Sequence, residues 1–458
     1  MKVTNLNPGN DIGASAWWVE FEGHHLLLDS GTHPKHDGRE ALPLFDRVLG
    51  RELDAIAVSH CHLDHVGSLP VALRHFPHAN VLMTDLSYLL IERVLHNSVN
   101  VMMRQRTELG IKDYPFYSHE EVDDFAAVCQ GFRYRREIEW GAFHKSKPGH
   151  KTPSLEFFDA GHAFGSAGIL IRARRRTLFY TGDVCFHDQT LLRRAEFDDV
   201  RADILVMETT RGSNEVPENF SRESEVERFA TAIEAVLKRR GSVLVPAFAL
   251  GRTQEVLAIL SLLMRKRRLK RQPIYIGGLG RVFTELYDIE SNRANRNHPS
   301  LKLTEELHLE VLSGKQALSI PFTGGKIFVL TSGMMVENTG AHDLALRMMQ
   351  DPKHGIFFVG YSDPATPAGR LRAAQDGSTF EFSAQAPDAK RLCDIQQFDL
   401  TAHANRGDLV NFVGQVNPKV VVLGHGEPEA RAWFANAIQK EHPRIKVLQP
   451  GPGEQVDC

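Results

Sequence analysis

A chain of 458 residues with 54 Lys+Arg against 57 Asp+Glu has a formal net charge of −3, so no global basic field marks it as a nucleic-acid binder and any anionic ligand must be held by local charge. Its 42% hydrophobic and 24% charged residues are those of a globular protein, its length fits two domains, and no apolar run approaches the roughly 18 residues of a membrane span. Five cysteines (Cys61, Cys129, Cys185, Cys393, Cys458), odd in number and without a CxxC pair, argue against a disulfide framework and against a thiolate zinc site.

In chain order, Met1 to Leu6 leads into Asn7-Pro8-Gly9 rather than an apolar segment with a cleavage site, so a cytoplasmic location is expected. Short strands bounded by turn residues follow: Trp17 to Phe21, His25 to Leu28, Ile56 to Val58, Leu155 to Phe158, Ile169 to Ala173 and Thr177 to Tyr180, interrupted by a helix over Ser87 to His96. Near Ala202 the pattern changes. The apolar run Ile204 to Met207 is followed by a helix over Glu223 to Arg239, a strand over Val243 to Val245, a helix over Thr253 to Met264 and strands at Ile274 to Ile276, Ile327 to Leu330 and Ile356 to Val359. Such alternation predicts a parallel sheet with crossover helices. A strand at Val420 to Leu423 and a helix near Glu429 to Glu441 return to the first style, so one domain is inserted into another, and the tail Gln449 to Gly453 reads as a surface terminus.

Chemistry is concentrated in Ser59-His60-Cys61-His62-Leu63-Asp64-His65, directly after a buried strand run. Two histidines at i and i+2 can point at one cation, and Asp64 with His65 can serve a neighbouring one. Burying four such side chains without a metal would leave unpaired polar groups.

This pattern resembles the signature of the metallo-β-lactamase superfamily, and the rest of that family's pattern can be matched residue by residue. Asp29, in Leu28-Asp29-Ser30-Gly31, matches the aspartate that orients ligands from behind. His162 matches a third metal histidine and Asp183 the aspartate that bridges two metals. The resemblance implies His60, His62 and His162 on one metal, Asp64 and His65 on the other, Asp183 shared, and two Zn²⁺ with Mn²⁺ as the alternative. Two ions about 3.5–4 Å apart can share a hydroxide and hold the attacking and leaving oxygens of a displacement.

The last expected metal histidine, His425 in Leu423-Gly424-His425-Gly426-Glu427, comes only after a domain-sized stretch. An insertion at this point resembles the β-CASP nucleases. The resemblance implies an α/β fold: a metallo-β-lactamase αββα sandwich over 1–205 and 395–458, with an inserted β-CASP α/β domain over 206–394 carrying a mainly parallel sheet. Glu208, His403 and His425 match the group's three further motifs, with catalytic work expected of Asp64, His403 and Glu208: His403 as the acid for the leaving 3′ oxygen, and Glu208 as the carboxylate favouring its imidazolium. A histidine at 425 resembles RNA-directed members, which implies hydrolysis of single-stranded RNA to 5′-phosphate and 3′-hydroxyl ends, internally or from the 5′ end. A homodimer or a processing-complex partner is compatible with this.

Arg252, in Pro246-Ala247-Phe248-Ala249-Leu250-Gly251-Arg252, and Ser332, Gly333 and Met334 match β-CASP loops and are expected at the substrate. Glu337-Asn338 and Ala365 depart from the glycines usual in such loops. The run Arg265 to Arg271, six basic residues in seven, reads as a solvated helix end. The competing expectations are a DNA-directed nuclease of the same group, a small-molecule ester, lactone or thioester hydrolase, and a silent RNA-binding scaffold, which should have lost ligands.

Overall fold

The computed structural model describes residues 1–140, 153–217, 219–323, 325–384 and 386–458. The chain divides into two compact units: Met1–Asp188 with Arg194–Val216 and His403–Cys458, and Gln189–Arg193 with Pro217–Ala402. The divisions fall at 216/217 and 402/403, beside the 205 and 394 read from the sequence. Ile204–Glu208 is one unbroken strand of the first unit, which carries the chain past residue 205 before it leaves.

Two seven-stranded mixed sheets form the first unit. One runs Gln455–Asp457, Lys2–Asn5, Trp17–Phe21, His24–Leu28, Ala55–Ala57, Asn80–Thr84, Cys129–Phe132. The other runs Lys446–Leu448, Val420–Gly424, Ile204–Glu208, Thr177–Tyr180, Ala167–Arg172, Ser154–Asp159, Ile138–Glu139. Alternate side chains of each strand face one shared core, with Val19, Leu26, Leu28, Ala57 and Leu82 meeting Phe157, Ile169, Leu178, Val206 and Val422. The outer face of the second sheet packs through Phe179, Leu205 and Leu423 on helices Arg406–Val416 and Pro428–Glu441, and helix Asp85–Leu109 lies on the first sheet. This is the expected αββα sandwich.

One local expectation is corrected. The helix read as Ser87 to His96 spans Asp85–Leu109, because Thr84 Oγ1 accepts from Ser87 N at 3.0 Å and starts it early, while the first residue able to stop it cheaply is Gly110 at φ +71°. Beyond the loop Gln449 to Gly453, the strand Gln455–Asp457, which the sequence did not announce, pairs antiparallel with Lys2–Asn5. Three residues are too few to show a strand period.

In the second unit six strands, all paired in parallel, run Leu309–Val311, Ile274–Ile276, Ile327–Leu330, Val243–Pro246, Gly355–Phe358, Asp394–Gln397. The near-continuous apolar stretches of the four inner strands are what a sheet covered on both faces requires, while the two edge strands carry polar residues. Leu244, Phe328 and Ile356 pack on helix Gly340–Met348, and helix Arg252–Arg265 is buried along almost its whole length.

Candidate metal centre

Every residue expected at the metals lies in the first unit, in loops that follow strands. After Ala55–Ala57 the chain presents His60 and His62, then makes one helical turn, Leu63–Val66, that carries Asp64 and His65. His162 follows Ser154–Asp159, Asp183 follows Thr177–Tyr180, and His425 follows Val420–Gly424. Strand pairing therefore sets the spacing of the loops. Gly31 allows the loop after His24–Leu28 to press on this turn, since a Cβ there would lie 1.7 Å from Asp64 O. His425 itself sits at φ +46°, a left-handed conformation uncommon for a residue with a Cβ and characteristic of functional loops.

Donor atoms converge in two groups, His60, His62, His162 and Asp183, and Asp64, His65 and His425. In the first, His62 Nδ1 lies 3.1 Å from His60 Nε2 and 3.3 Å from His162 Nε2, and Asp183 Oδ2 lies 3.6 and 3.8 Å from those two Nε2 atoms. In the second, Asp183 Oδ1 is 3.4 Å from both His65 Nε2 and His425 Nε2, and Asp64 Oδ2 is 3.9 and 3.7 Å from them. A cation with ligand bonds of about 2.0–2.1 Å has tetrahedral donor–donor edges of about 3.3–3.4 Å, so both groups have the dimensions of a zinc shell. The two oxygens of Asp183 divide between them. His65 Nε2 and Asp183 Oδ1 are buried without a hydrogen-bond partner, which is costly unless a cation takes their lone pairs.

A second ring of residues aims the first. Asp29, wholly buried, accepts His65 Nδ1 at 2.7 Å, so His65 presents Nε2 to the centre. Its carboxylate also accepts Ser59 N at 2.6 Å, Ser59 Oγ at 2.7 Å and Tyr180 OH at 2.7 Å. Ser59 and Tyr180 were not singled out in the sequence; a tyrosine inside an apolar strand gives no signal. Burial, with Asp29 beside it, pushes the Tyr180 phenol well above its ordinary value and keeps it a donor. Burial also holds His60 well below the ordinary histidine range, the neutral form a metal needs. Burial pushes the Asp183 carboxyl up, but His425, His65 and His403 outweigh it and hold it well below the usual range.

Next to the first group, the His403 ring lies 4.6 Å from that of His162. Its Nδ1 faces the buried Glu208 carboxylate at 3.2 and 3.3 Å, and Glu208 Oε1 is fixed by Val184 N at 2.7 Å. With Nδ1 turned to Glu208, the Nε2 edge of the ring faces away from that carboxylate. A separate exposed group, Glu92, His96 and Asp123, has the spacing of an ordinary surface ion-pair cluster.

The residues expected at substrate lie in the second unit. Arg252 is buried and donates to Leu400 O and Gln189 Oε1, beside Glu255 and Arg222, so this guanidinium is held within an internal charge network. Ser332, Gly333 and Met334 occupy the loop after Ile327–Leu330; Ser332 Oγ accepts from Val336 N, and Gly333 runs against the backbone of Phe248. Of the basic run, Arg268 is tied to Glu227 and Glu234, as a solvated helix end would be.

A two-sheet sandwich whose strand-end loops gather histidines and aspartates into cation-sized shells defines a metallo-hydrolase scaffold. Residues 9–136 match the metallo-beta-lactamase superfamily, 253–371 the Beta-Casp domain and 388–450 the Zn-dependent metallo-hydrolase RNA specificity domain. The chain belongs to the metallo-β-lactamase superfamily, in its β-CASP family. It is 26% identical to cleavage and polyadenylation specificity factor subunit 3 of Dictyostelium discoideum and 27% identical to endoribonuclease ysh-1 of Neurospora crassa, over 98% and 99% of this chain and 56% of each relative. It thus spans about half the length of these curated relatives. Probable RNase MJ4 of Methanocaldococcus jannaschii is 28% identical over the whole of both chains. A crystal structure of a protein of unknown function from Enterococcus faecalis shares the fold, with a TM-score of 0.58 at 17% identity over 99% of both chains. Among the described residues no helix is long and apolar enough to cross a membrane.

Proposed function

We propose that the chain is a zinc-dependent ribonuclease that hydrolyses single-stranded RNA to 5′-phosphate and 3′-hydroxyl products. The observation that carries the reading is the Glu208–His403 pair set against the His60, His62, His162 and Asp183 group: a simple metal site has no use for it, whereas a reaction that expels an alkoxide needs an acid there. The names of the relatives, endoribonuclease and RNase among them, support RNA as the substrate.

His60, His62 and His162 would hold one ion, Asp64, His65 and His425 the other, and Asp183 both. Lewis acidity toward the phosphate and a lowered pKa for the attacking water are the chemistry that two bound Zn²⁺, or Mn²⁺ in their place, would supply. Asp29 keeps the His65 ring in the orientation that offers Nε2. His403 delivers a proton from Nε2 to the 3′ oxygen as the P–O3′ bond breaks, and Glu208 steadies the imidazole through Nδ1 and offsets its charge. Asp64 holds one side of the reaction centre while staying open to solvent on the other. In this reading the unit built mainly from 1–205 and 395–458, with Glu208 at the end of its strand, is the catalytic domain and most of 206–394 the inserted one, acting in the cytoplasm as a homodimer or with a processing-complex partner.

The test is incubation of zinc-loaded protein with matched RNA and DNA oligonucleotides bearing 5′-hydroxyl, monophosphate or triphosphate ends. A ladder of 5′-phosphorylated RNA products is expected, with its spacing giving the endonucleolytic or 5′–3′ exonucleolytic mode. Turnover of DNA alone, or of a lactone or thioester with no RNA cut, would overturn the proposal.

A further inference from the structure

His65 and His425 belong to the same group of donors, yet they are aimed by different means. His65 Nδ1 is held by the Asp29 carboxylate, whereas His425 Nδ1 is buried with no hydrogen-bond partner among the described residues. The direction of the His425 ring is therefore set by its backbone, which lies in the left-handed region at φ +46°. That conformation is disfavoured for a residue with a Cβ and persists only where the surroundings impose it.

Before His425, Gly424 lies so close to the Trp17 ring that a Cβ would come within 2.2 Å of it. At the residue itself, His425 O accepts from Thr209 N at 3.1 Å and from Thr210 Oγ1 at 3.3 Å. After it comes Glu427, which opens helix Pro428–Glu441. Lys35 Nζ donates to Glu427 Oε1 at 2.8 Å and to Asp11 Oδ2 at 2.9 Å. Asp11 is fixed in turn: Lys35 N donates to His33 Nδ1 at 3.2 Å, so His33 Nε2 carries the proton that Asp11 Oδ1 accepts at 2.8 Å. One helical turn past Glu427, Arg431 donates to Asn10 O. The loop over residues 7–15 is thus tied at two points to the helix start, and its far end reaches the Asp64 turn, where Ser15 N donates to Asp64 O at 2.7 Å. Asn7, Asp11 and Ser15 line one small cavity with His425 and Arg431. Without the Lys35 ammonium, Asp11 and Glu427 would face each other as like charges, and the loops that carry them would be driven apart.

We infer that Lys35 is a positioning residue for His425. By bridging Asp11 and Glu427 it keeps the loop that carries His425 against the loop that contacts Asp64, and so holds the Asp64, His65 and His425 group at the spacing a metal ion needs. The inference rests on the two-ion reading of the centre and is independent of the choice between RNA and any other substrate.

The experiment measures the two stepwise Zn²⁺ constants of the full chain by competition with a chromophoric chelator, with no nucleic acid present, and records the d–d absorption of the Co²⁺-loaded protein. Lys35→Met, which keeps the length of the side chain and removes its charge, should weaken one constant about tenfold and leave the other within about twofold of the wild type. The Co²⁺ bands of the weakened equivalent should shift or lose intensity. Lys35→Arg, whose guanidinium can still bridge both carboxylates, should restore the constant to within about threefold of the wild type. In a His425→Ala background, Lys35→Met should change nothing further. Urea midpoints of the metal-free proteins show that each variant folds. Constants unchanged in Lys35→Met overturn the inference, and a lowered urea midpoint then marks the bridge as a structural one. An equal loss at both ions, a further loss in the His425→Ala background, or a Lys35→Arg variant as weak as Lys35→Met overturns it too. A wild-type chain that takes up fewer than two ions removes the two-ion reading and the inference with it, a result distinct from all of these.

Discussion

Glu255→Gln tests the physical account of the second unit most sharply. Glu255 is buried; its Oε1 accepts Thr190 N at 2.7 Å and the Arg222 guanidinium at 2.5 Å, and its Oε2 accepts Leu191 N at 2.9 Å. Burial pushes this carboxyl up, but Arg222 and Arg252 outweigh it and lower it from 4.5 to about 2. That displacement corresponds to about 3 kcal/mol of folding free energy. Glutamine keeps the shape but has one acceptor and one donor where both oxygens now accept. One side therefore faces a donor it cannot satisfy, while Arg222 and Arg252 lose their counter-charge, so a loss of about 3–5 kcal/mol is expected.

Because the folded value lies below the unfolded one, the stabilisation is complete above pH 4.5 and is lost as the pH falls through about 2. The assay is urea denaturation with hydrogen exchange read over 189–193 and 252–265, wild type against variant, from about pH 8 to about pH 3. The difference should be flat down to about pH 5 and narrow below it. A loss under about 1 kcal/mol at neutral pH would refute the reasoning, as would a difference that widened in acid.

Asp29→Ala should lower metal affinity about 10–100-fold, read by competition with a chromophoric chelator, because His65 loses the acceptor that orients it; unchanged affinity would sink this account of the ring behind the ligands. His403→Ala should keep its metal content by elemental analysis while RNA cleavage falls about 10²–10⁴-fold, and undiminished cleavage would remove it as the acid. Burial raises the Asp159 carboxyl from 3.8 to about 7, so the folded state holds the proton longer and stability falls as the pH rises between these values, then levels off. Asp159→Asn, whose amide oxygen can still accept Gly161 N, should therefore gain up to about 4 kcal/mol at pH 8 and nothing below about pH 4, measured by denaturant midpoints; a variant destabilised at pH 8 would contradict this.

The clustered donors could be read from the sequence because they stand in a visible pattern: four ligand-type side chains within six residues after a strand, then single ones each following another strand, and the fold gathers them into two groups that could hold metal. The parallel sheet was legible for a similar reason, since strands buried on both faces carry continuous apolar runs such as Ile327–Leu330. Long-range partnerships were not. Nothing near Tyr180 announces that its hydroxyl reaches Asp29, and nothing near Gln455 announces a partner at Thr4, because both depend on segments brought together only by the fold. The same holds at Arg252, which follows a glycine-rich strand-to-helix turn: the sequence does not announce that a buried glutamate one helical turn away draws the region into an internal charge network.

Residues 189–193 group with the second unit although the chain on both sides of them belongs to the first. A fragment cut at 217 and 402 would therefore lack Thr190 and Leu191, whose N–H groups satisfy Glu255, and would carry a buried carboxylate short of two of its donors. The inserted unit is thus not a cassette that can be lifted out at a single pair of cuts. Its stability depends on a five-residue loan from the stretch of chain that otherwise belongs to the first unit, so a change in length between Asp188 and Arg194 would be felt at Glu255.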